Sequence, residues 1–177
     1  MTRLHRSLAF AAFLALAPAS MGEAEPSPAK ACLRPPFHGI TETLDTGEVV
    51  GKVDARDWGC VGDGDGSARA LGVPVPPPPS GICLQPASPN PATGAVRIRF
   101  TIGEVRHVRL TMYGQTRGGG PPDVFAVRTL VDAQLQVGAH EVTWDLRNDV
   151  GERVPPGVYR AVMEAETDIL CGDIEIR

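Results

Sequence analysis

The residues able to do chemistry in this 177-residue chain are four cysteines, a few dispersed histidines and two acidic loops. The first loop, Gly62, Asp63, Gly64, Asp65, Gly66 and Ser67, alternates carboxylates in the way that surrounds a hard cation with oxygens. A calcium loop of the EF-hand kind needs a bidentate glutamate at its twelfth position, where this chain has Pro74. The stretch therefore reads as a solvated, glycine-rich turn. The second loop gathers Asp145, Asn148, Asp149 and Glu152, again possible oxygen ligands and again explained by a polar turn. His38, His107 and His140 are scattered and read as surface residues. Arg97, Arg99, Arg106 and Arg109 are candidates for one basic face toward acidic glycans or lipid headgroups, although a solvated sheet face needs no ligand. Nucleophile elbows, phosphate-cradling glycine loops between strand and helix, and paired-carboxylate motifs are lacking. The expectation is a non-enzymatic protein with no cofactor.

Cys32, Cys60, Cys83 and Cys171 all follow a segment with the order of a secretory signal. Arg3, His5 and Arg6 are basic, residues 8–17 are apolar, and Ala17, Pro18, Ala19 and Ser20 offer small residues for cleavage. That apolar run is shorter than the roughly 18 residues of a membrane span, so residues 1–20 are assigned as a signal peptide and no span is expected. Export implies an oxidising compartment, and an even cysteine count there implies two disulfides. Three pairings are possible; the one expected is Cys32–Cys60 with Cys83–Cys171. A zinc site is disfavoured, because C-x-x-C and H-x-x-x-H pairs are missing. A net charge of −4 gives no reason to expect nucleic acid.

The elements that position these residues are strands. Seventeen prolines, twenty glycines and few aromatics suit a turn-rich β domain. Residues 21–73 form a short segment in which 40–44 and 48–53 are expected to pair as a hairpin around Asp45, Thr46 and Gly47. A lone hairpin is barely stable, so this one must lean on the main domain or a disulfide. Residues 74–80, with four consecutive prolines, read as a polyproline spacer and domain boundary. Residues 81–177 then alternate apolar and polar side chains. Val96, Ile98, Phe100 and Ile102 oppose Arg97, Arg99 and Thr101, while Val108, Leu110 and Met112 oppose Arg109 and Thr111. Further strands are expected around 82–84, 124–131, 141–145, 158–165 and 169–176. About seven short strands at this spacing predict an all-β, immunoglobulin-like antiparallel sandwich with an irregular N-terminal extension. Phe100, Trp144 and Tyr159 are its expected core aromatics, with Asp145 capping loop amides.

Five blocks occur in order: Pro89, Asn90 and Pro91 with Gly94; Val108 to Tyr113; Val127 to Leu130; Gly138 to Asp145; and Gly151 to Tyr159. Together they resemble the FlgD-type immunoglobulin-like domain of the flagellar hook-capping protein, over about residues 82–177. They are also similar to the C-terminal sorting domains of type IX secretion substrates. Gly94 and Gly157 are expected to use backbone angles open to glycine. Three positions depart from the pattern: Gly114 replaces the usual Asp after the strand-ending Tyr, residues 115–123 make a longer loop, and Leu146 stands where Gly commonly follows Trp-Asp. The resemblance implies a bacterial exported module that binds protein or glycan at the envelope or outside the cell. The alternative is a sorting or attachment domain, engaging a secretion apparatus and carrying residues 23–80 as a small passenger. A cleavable signal argues against the flagellar export route.

Overall fold

The computed structural model describes residues 31–37, 39–62, 81–116 and 123–177. Eight strands follow in order: β1 (Gly59–Val61), β2 (Ile82–Leu84), β3 (Val96–Ile102), β4 (Arg106–Gln115), β5 (Val124–Leu135), β6 (Gly138–Trp144), β7 (Gly157–Ala165) and β8 (Asp168–Ile176). They form two four-stranded sheets, β1-β2-β3-β6 and β5-β4-β7-β8, and every pair is antiparallel. The expected all-β sandwich is what forms. The period-two pattern explains it directly, because alternate side chains of each strand project to one face. Val96, Ile98, Phe100 and Ile102 of one sheet and Val108, Leu110, Met112, Met163 and Ile174 of the other share a single core, each almost fully buried. Among the described residues no helix is long and apolar enough to cross a membrane.

The segment before the proline run does not stand apart from the sandwich. Its residues 59–61 are strand β1, the edge of the first sheet, which raises the expected seven strands to eight. Trp58, 2% exposed, lies in the same core as the sheets. Its backbone N–H donates to the Cys171 carbonyl at 2.8 Å, and its indole rests over Gly172 of β8. The hairpin expected at 40–53 closes around Gly47, at φ 88°: the Leu44 amide donates to the Glu48 carbonyl at 2.9 Å, that of Val50 to Glu42 at 2.7 Å and that of Glu42 to Lys52 at 2.8 Å, with Thr43 bridging Val49. Thr43 also bridges to Asn90, so the hairpin leans on the main domain. Residues 63–80, with the acidic glycine stretch from Asp63 and the proline spacer, lie outside the described residues.

The disulfides correct the expected pairing: Cys60 joins Cys83, and Cys32 joins Cys171. The reason is register. Cys60 of β1 and Cys83 of β2 are direct cross-strand partners, with Cα atoms 4.0 Å apart. Cys171 of β8 meets the N-terminal residues instead, with a Cα separation of 6.0 Å from Cys32. In chain-entropy terms, closing a loop across 139 residues stabilises by about 5 kcal/mol and across 23 residues by about 3 kcal/mol. Neither Gly94 nor Gly157 has the expected special backbone angle; the positive-φ glycines are elsewhere, Gly47 and Gly151 among them. β5 runs for twelve residues, longer than expected, with two register shifts against β4.

A glycine within a strand often marks a close backbone approach, and Gly172 is such a place. A Cβ there would stand 2.3 Å from Trp58 Cδ2. Gly172→Ala should therefore push the indole out of its seat and destabilise by about 1–3 kcal/mol, the range for overpacking. Thermal unfolding and the tryptophan emission spectrum, compared between the parent and the variant, measure this. An unshifted midpoint and spectrum would show that the indole does not occupy that recess.

Candidate functional site

The loop between β6 and β7, residues 145–156, is organised by the side chains at its two ends. Trp144 closes β6, and its indole N–H donates to the Arg147 carbonyl at 2.9 Å. Tyr159 of β7 donates its hydroxyl to the Pro155 carbonyl at 2.7 Å. The two rings meet edge to face, 5.4 Å between centroids at 67°, a favoured aromatic geometry. Both residues therefore act as the expected core aromatics, and each also anchors one arm of the loop. Phe100, the third, is buried in the core and stacks on His140 at 5.3 Å.

Leu146 is one of the positions that depart from the resemblance. It adopts φ 59°, a left-handed angle where glycine is usual, yet its side chain is fully buried in the core. The backbone strain costs about 1–2 kcal/mol, whereas removing a buried leucine side chain costs about 3–5 kcal/mol. Burial wins. Gly114, the second departure, is not in a turn but within β4, directly beneath Phe125. A Cβ on Gly114 would lie 2.8 Å from Phe125 Cζ and 3.2 Å from Val127 Cγ2. Its missing side chain makes room for the Phe125 ring.

The loop's polar residues are occupied in holding its own shape. Asn148 Oδ1 accepts from the amides of Val150 and Glu152 at 3.2 and 2.8 Å, and its Nδ2 donates to Glu152 Oε2 at 3.3 Å. Asp145 caps the Arg147 amide at 3.1 Å, as expected, and pairs with Arg128 of β5 at 2.6 Å. Desolvation alone would raise the Asp145 pKa, but these hydrogen bonds and the Arg128 charge hold it below the usual carboxylate value. The Asp149 amide donates to the Val127 carbonyl at 3.1 Å, fastening the loop to β5. Among the described residues no group of three or more His, Cys, Asp or Glu side chains is placed to hold a metal ion.

What this scaffold surrounds is an open cleft of about 580 Å³ between the start of β5, the loop and the start of β7. Its lining is largely apolar, with Phe125, Val127, Val150, Val154, Pro155 and Pro156 prominent. Phe125 remains 47% exposed and Val150 78% exposed at its mouth. The volume falls in the range of small-ligand and peptide sites. Sequence reasoning missed the cleft, since its two walls are separated in the chain and Phe125 reads as an ordinary strand residue.

The other candidates separate in space. Arg97 and Arg99 lie on the first sheet, where Arg97 donates to the Asp45 carbonyl and Arg99 pairs with Glu141 at 2.7 Å. Arg106 and Arg109 lie on the second. Arg106 is buried and pairs with Glu104 and Asp168, and Arg109 pairs with Asp132 at 3.3 Å. The four do not form one basic face, because β3 and β4 belong to different sheets. His107 is exposed beside Asp132 at 3.1 Å, and His140 contacts the Gln136 carbonyl at 2.8 Å; His38 lies outside the described residues.

A second polar cluster was not foreseen. Asp173 of β8, fully buried, pairs with Arg160 of β7 through two contacts of 2.6 and 2.7 Å. Arg160 also donates to the Cys32 carbonyl at 2.7 Å and stacks over the Phe37 ring at 4.4 Å. Asp57, itself buried, accepts from the Asp173 amide at 3.0 Å. Burial, reinforced by the nearby charges of Asp173 and Asp54, pushes the Asp57 carboxyl up to about 7, with Arg160 opposing. The only signal in the chain is the Asp57-Trp58 dipeptide beside Cys60, which nothing local ties to β8.

Comparison of the chain with known protein families, curated proteins and solved structures returns no match.

Two outcomes follow from this geometry. Leu146→Gly should relax the strained angle yet lower stability by about 2 kcal/mol, since lost burial exceeds relieved strain. A denaturant midpoint above that of the parent protein would reverse this ranking. For Asp57, the folded pKa lies above the unfolded one, so the folded state holds the extra proton between about pH 4 and 7. Its contribution is most favourable below that window, is lost as pH rises through it, and is constant above 7. Asp57→Asn keeps an acceptor for the Asp173 amide, and should flatten this part of the stability profile and stabilise the protein at pH 8. Parallel profiles for the two proteins across pH 4–7 would refute the buried-carboxyl account.

Proposed function

We propose that this chain is an exported, non-enzymatic sandwich module that binds an extended apolar segment of a partner protein at the envelope or outside the cell. The cleft beneath Phe125 and Val150 is the observation that carries this reading. Holding large apolar side chains in water at the mouth of a preformed cleft is characteristic of a binding surface. The strand order adds the chemistry of a peptide. Among the described residues β5 ends its sheet, so one side of its backbone has no neighbouring strand and meets only the Asp149 amide at Val127, and an extended segment can pair alongside while its side chains enter the cleft. The apolar lining favours protein over glycan. Two disulfides fit an oxidising compartment, in keeping with a signal peptide at residues 1–20. The ordered blocks that resemble FlgD-type domains belong to the same reading.

The sorting-domain alternative treats residues 23–80 as a passenger. Both disulfides and Trp58 instead fasten residues 31–62 to the sandwich, so a cut in the proline run would release nothing while the bonds persist. This weighs against a separable cargo.

The test uses extended peptides of alternating valine and threonine as probes, with neutral and acidic oligosaccharides as the competing class. Amide shifts in residues 125–127 and 148–156 are expected with the peptides. Phe125→Glu, at a half-exposed site, should keep the parent's melting temperature within a few degrees and reduce peptide binding at least about tenfold. Shifts produced only by oligosaccharides, or peptide binding that survives Phe125→Glu, would overturn the assignment.

A further inference from the structure

The two disulfides occupy different environments. Cys60–Cys83 is sealed, with Cys83 at 0% and Cys60 at 9% exposure. Cys32 and Cys171 are both half-buried and line an open cavity of about 390 Å³. Arg34, Arg56 and Arg160 line the same cavity, along with Asp54 and Asp57. Reduction by thiol exchange needs an attacking thiolate to reach one sulfur of the bond. The cavity gives that approach to Cys32–Cys171.

The cavity-side disulfide also fastens a distinct piece of chain. Residues 31–37 reach the sandwich through the Cys32 carbonyl on Arg160, the Phe37 ring under the same guanidinium, and the Phe37 backbone, which exchanges hydrogen bonds with the Gln115 side chain at 2.8 and 3.1 Å. The disulfide is the covalent part of this attachment, beside those few contacts. Beneath them, Asp173 keeps its pair with Arg160, and Trp58 remains in the core. Opening the bond therefore frees the covalent strap without dismantling either sheet.

We propose that Cys32–Cys171 is a thiol-exchange site, at which an external dithiol reversibly unfastens the N-terminal strap, while Cys60–Cys83 is structural. In the first step a thiolate of the dithiol attacks one sulfur, the Cys32–Cys171 bond breaks, and the other cysteine leaves as a thiolate that takes up a proton. The second thiol of the reagent then displaces the remaining cysteine. The dithiol ends as a disulfide, and the chain has gained two electrons and two protons. Exchange leaves Cys171 as a thiol at the cavity wall, where its thiolate can attack a partner's disulfide, forming a mixed disulfide as the partner's other sulfur leaves as a thiolate and takes up a proton.

The experiment treats the folded, oxidised, full-length exported chain with dithiothreitol, quenches with an alkylating reagent at intervals, and maps the labelled cysteines by peptide mass. Cys32 and Cys171 should be labelled together, at least about tenfold faster than Cys60 and Cys83, while near-ultraviolet circular dichroism stays native. Hydrogen exchange at residues 31–37 should rise in the selectively reduced species and in a Cys32→Ser/Cys171→Ser double variant. Labelling of all four cysteines at one rate, prior labelling of Cys60 and Cys83, or loss of the native dichroism in step with the first label would each overturn the proposal.

Discussion

The burial of the Trp144 indole is the constraint on which most of this structure depends. A large ring with one polar atom must be enclosed without leaving its N–H unpaired, because an unsatisfied buried donor costs about 1–3 kcal/mol. Here the ring meets Tyr159 from the opposite sheet, and the N–H finds the Arg147 carbonyl three residues on. That second contact bends the chain back immediately after β6. Leu146 is thereby driven into the core at a backbone angle it would otherwise avoid, and the loop begins. Tyr159 repeats the device at the other end by bonding Pro155. Two aromatic residues thus join the sheets and hold both arms of the loop that walls the cleft.

A second set of contacts makes the N-terminal segment part of the sandwich. β1 extends the first sheet, Trp58 seals the recess over Gly172, and the disulfides reach β2 and β8. The Asp173–Arg160 pair below them is buried, and such a pair gives little net stability by itself because two charges leave water. Its value lies in direction: one guanidinium binds Asp173, the Cys32 carbonyl and the Phe37 ring at once. Arg160 therefore specifies where the strap docks, while Trp58 fixes residues 57–61 in the core independently of it.

The two flanks of the sandwich differ for related reasons. At the β1–β8 flank, inserted side chains and covalent bonds cover the seam. At the β5–β6 flank, side chains are mostly half-buried or exposed. The two register shifts in β5 are a common means of twisting an edge away from uncontrolled pairing, and the Asp149 amide occupies one of its carbonyls. Phe125 and Val150 are exposed at the end of the strand beside the loop, and Val105 and Val137 at the other.

Much of the architecture was legible because a strand's period is local. Alternation along 96–102 and 108–112 identifies two core faces without reference to any other residue, and Trp144, Tyr159 and Phe100 stand out by size alone. The cleft, the disulfide partners and the Asp57–Asp173–Arg160 cluster were not legible. Each joins residues 13 to 139 positions apart, and chain order does not state which strands lie side by side. Asp145 shows the division within one residue: that it caps the next loop follows from its neighbours, but that it pairs with Arg128 depends on β5 passing beside the loop. Leu146 shows it as well. From the sequence it is an ordinary apolar residue; only the tertiary structure gives it a left-handed backbone angle and turns that strain into a buried contact. By itself the sequence determined the strand pattern, the sandwich and its aromatic core, because these follow from short-range periodicity. The tertiary structure alone decided which cysteines join, which carboxyl is buried and where an apolar surface stays open, because those follow from register and from which edges remain uncovered.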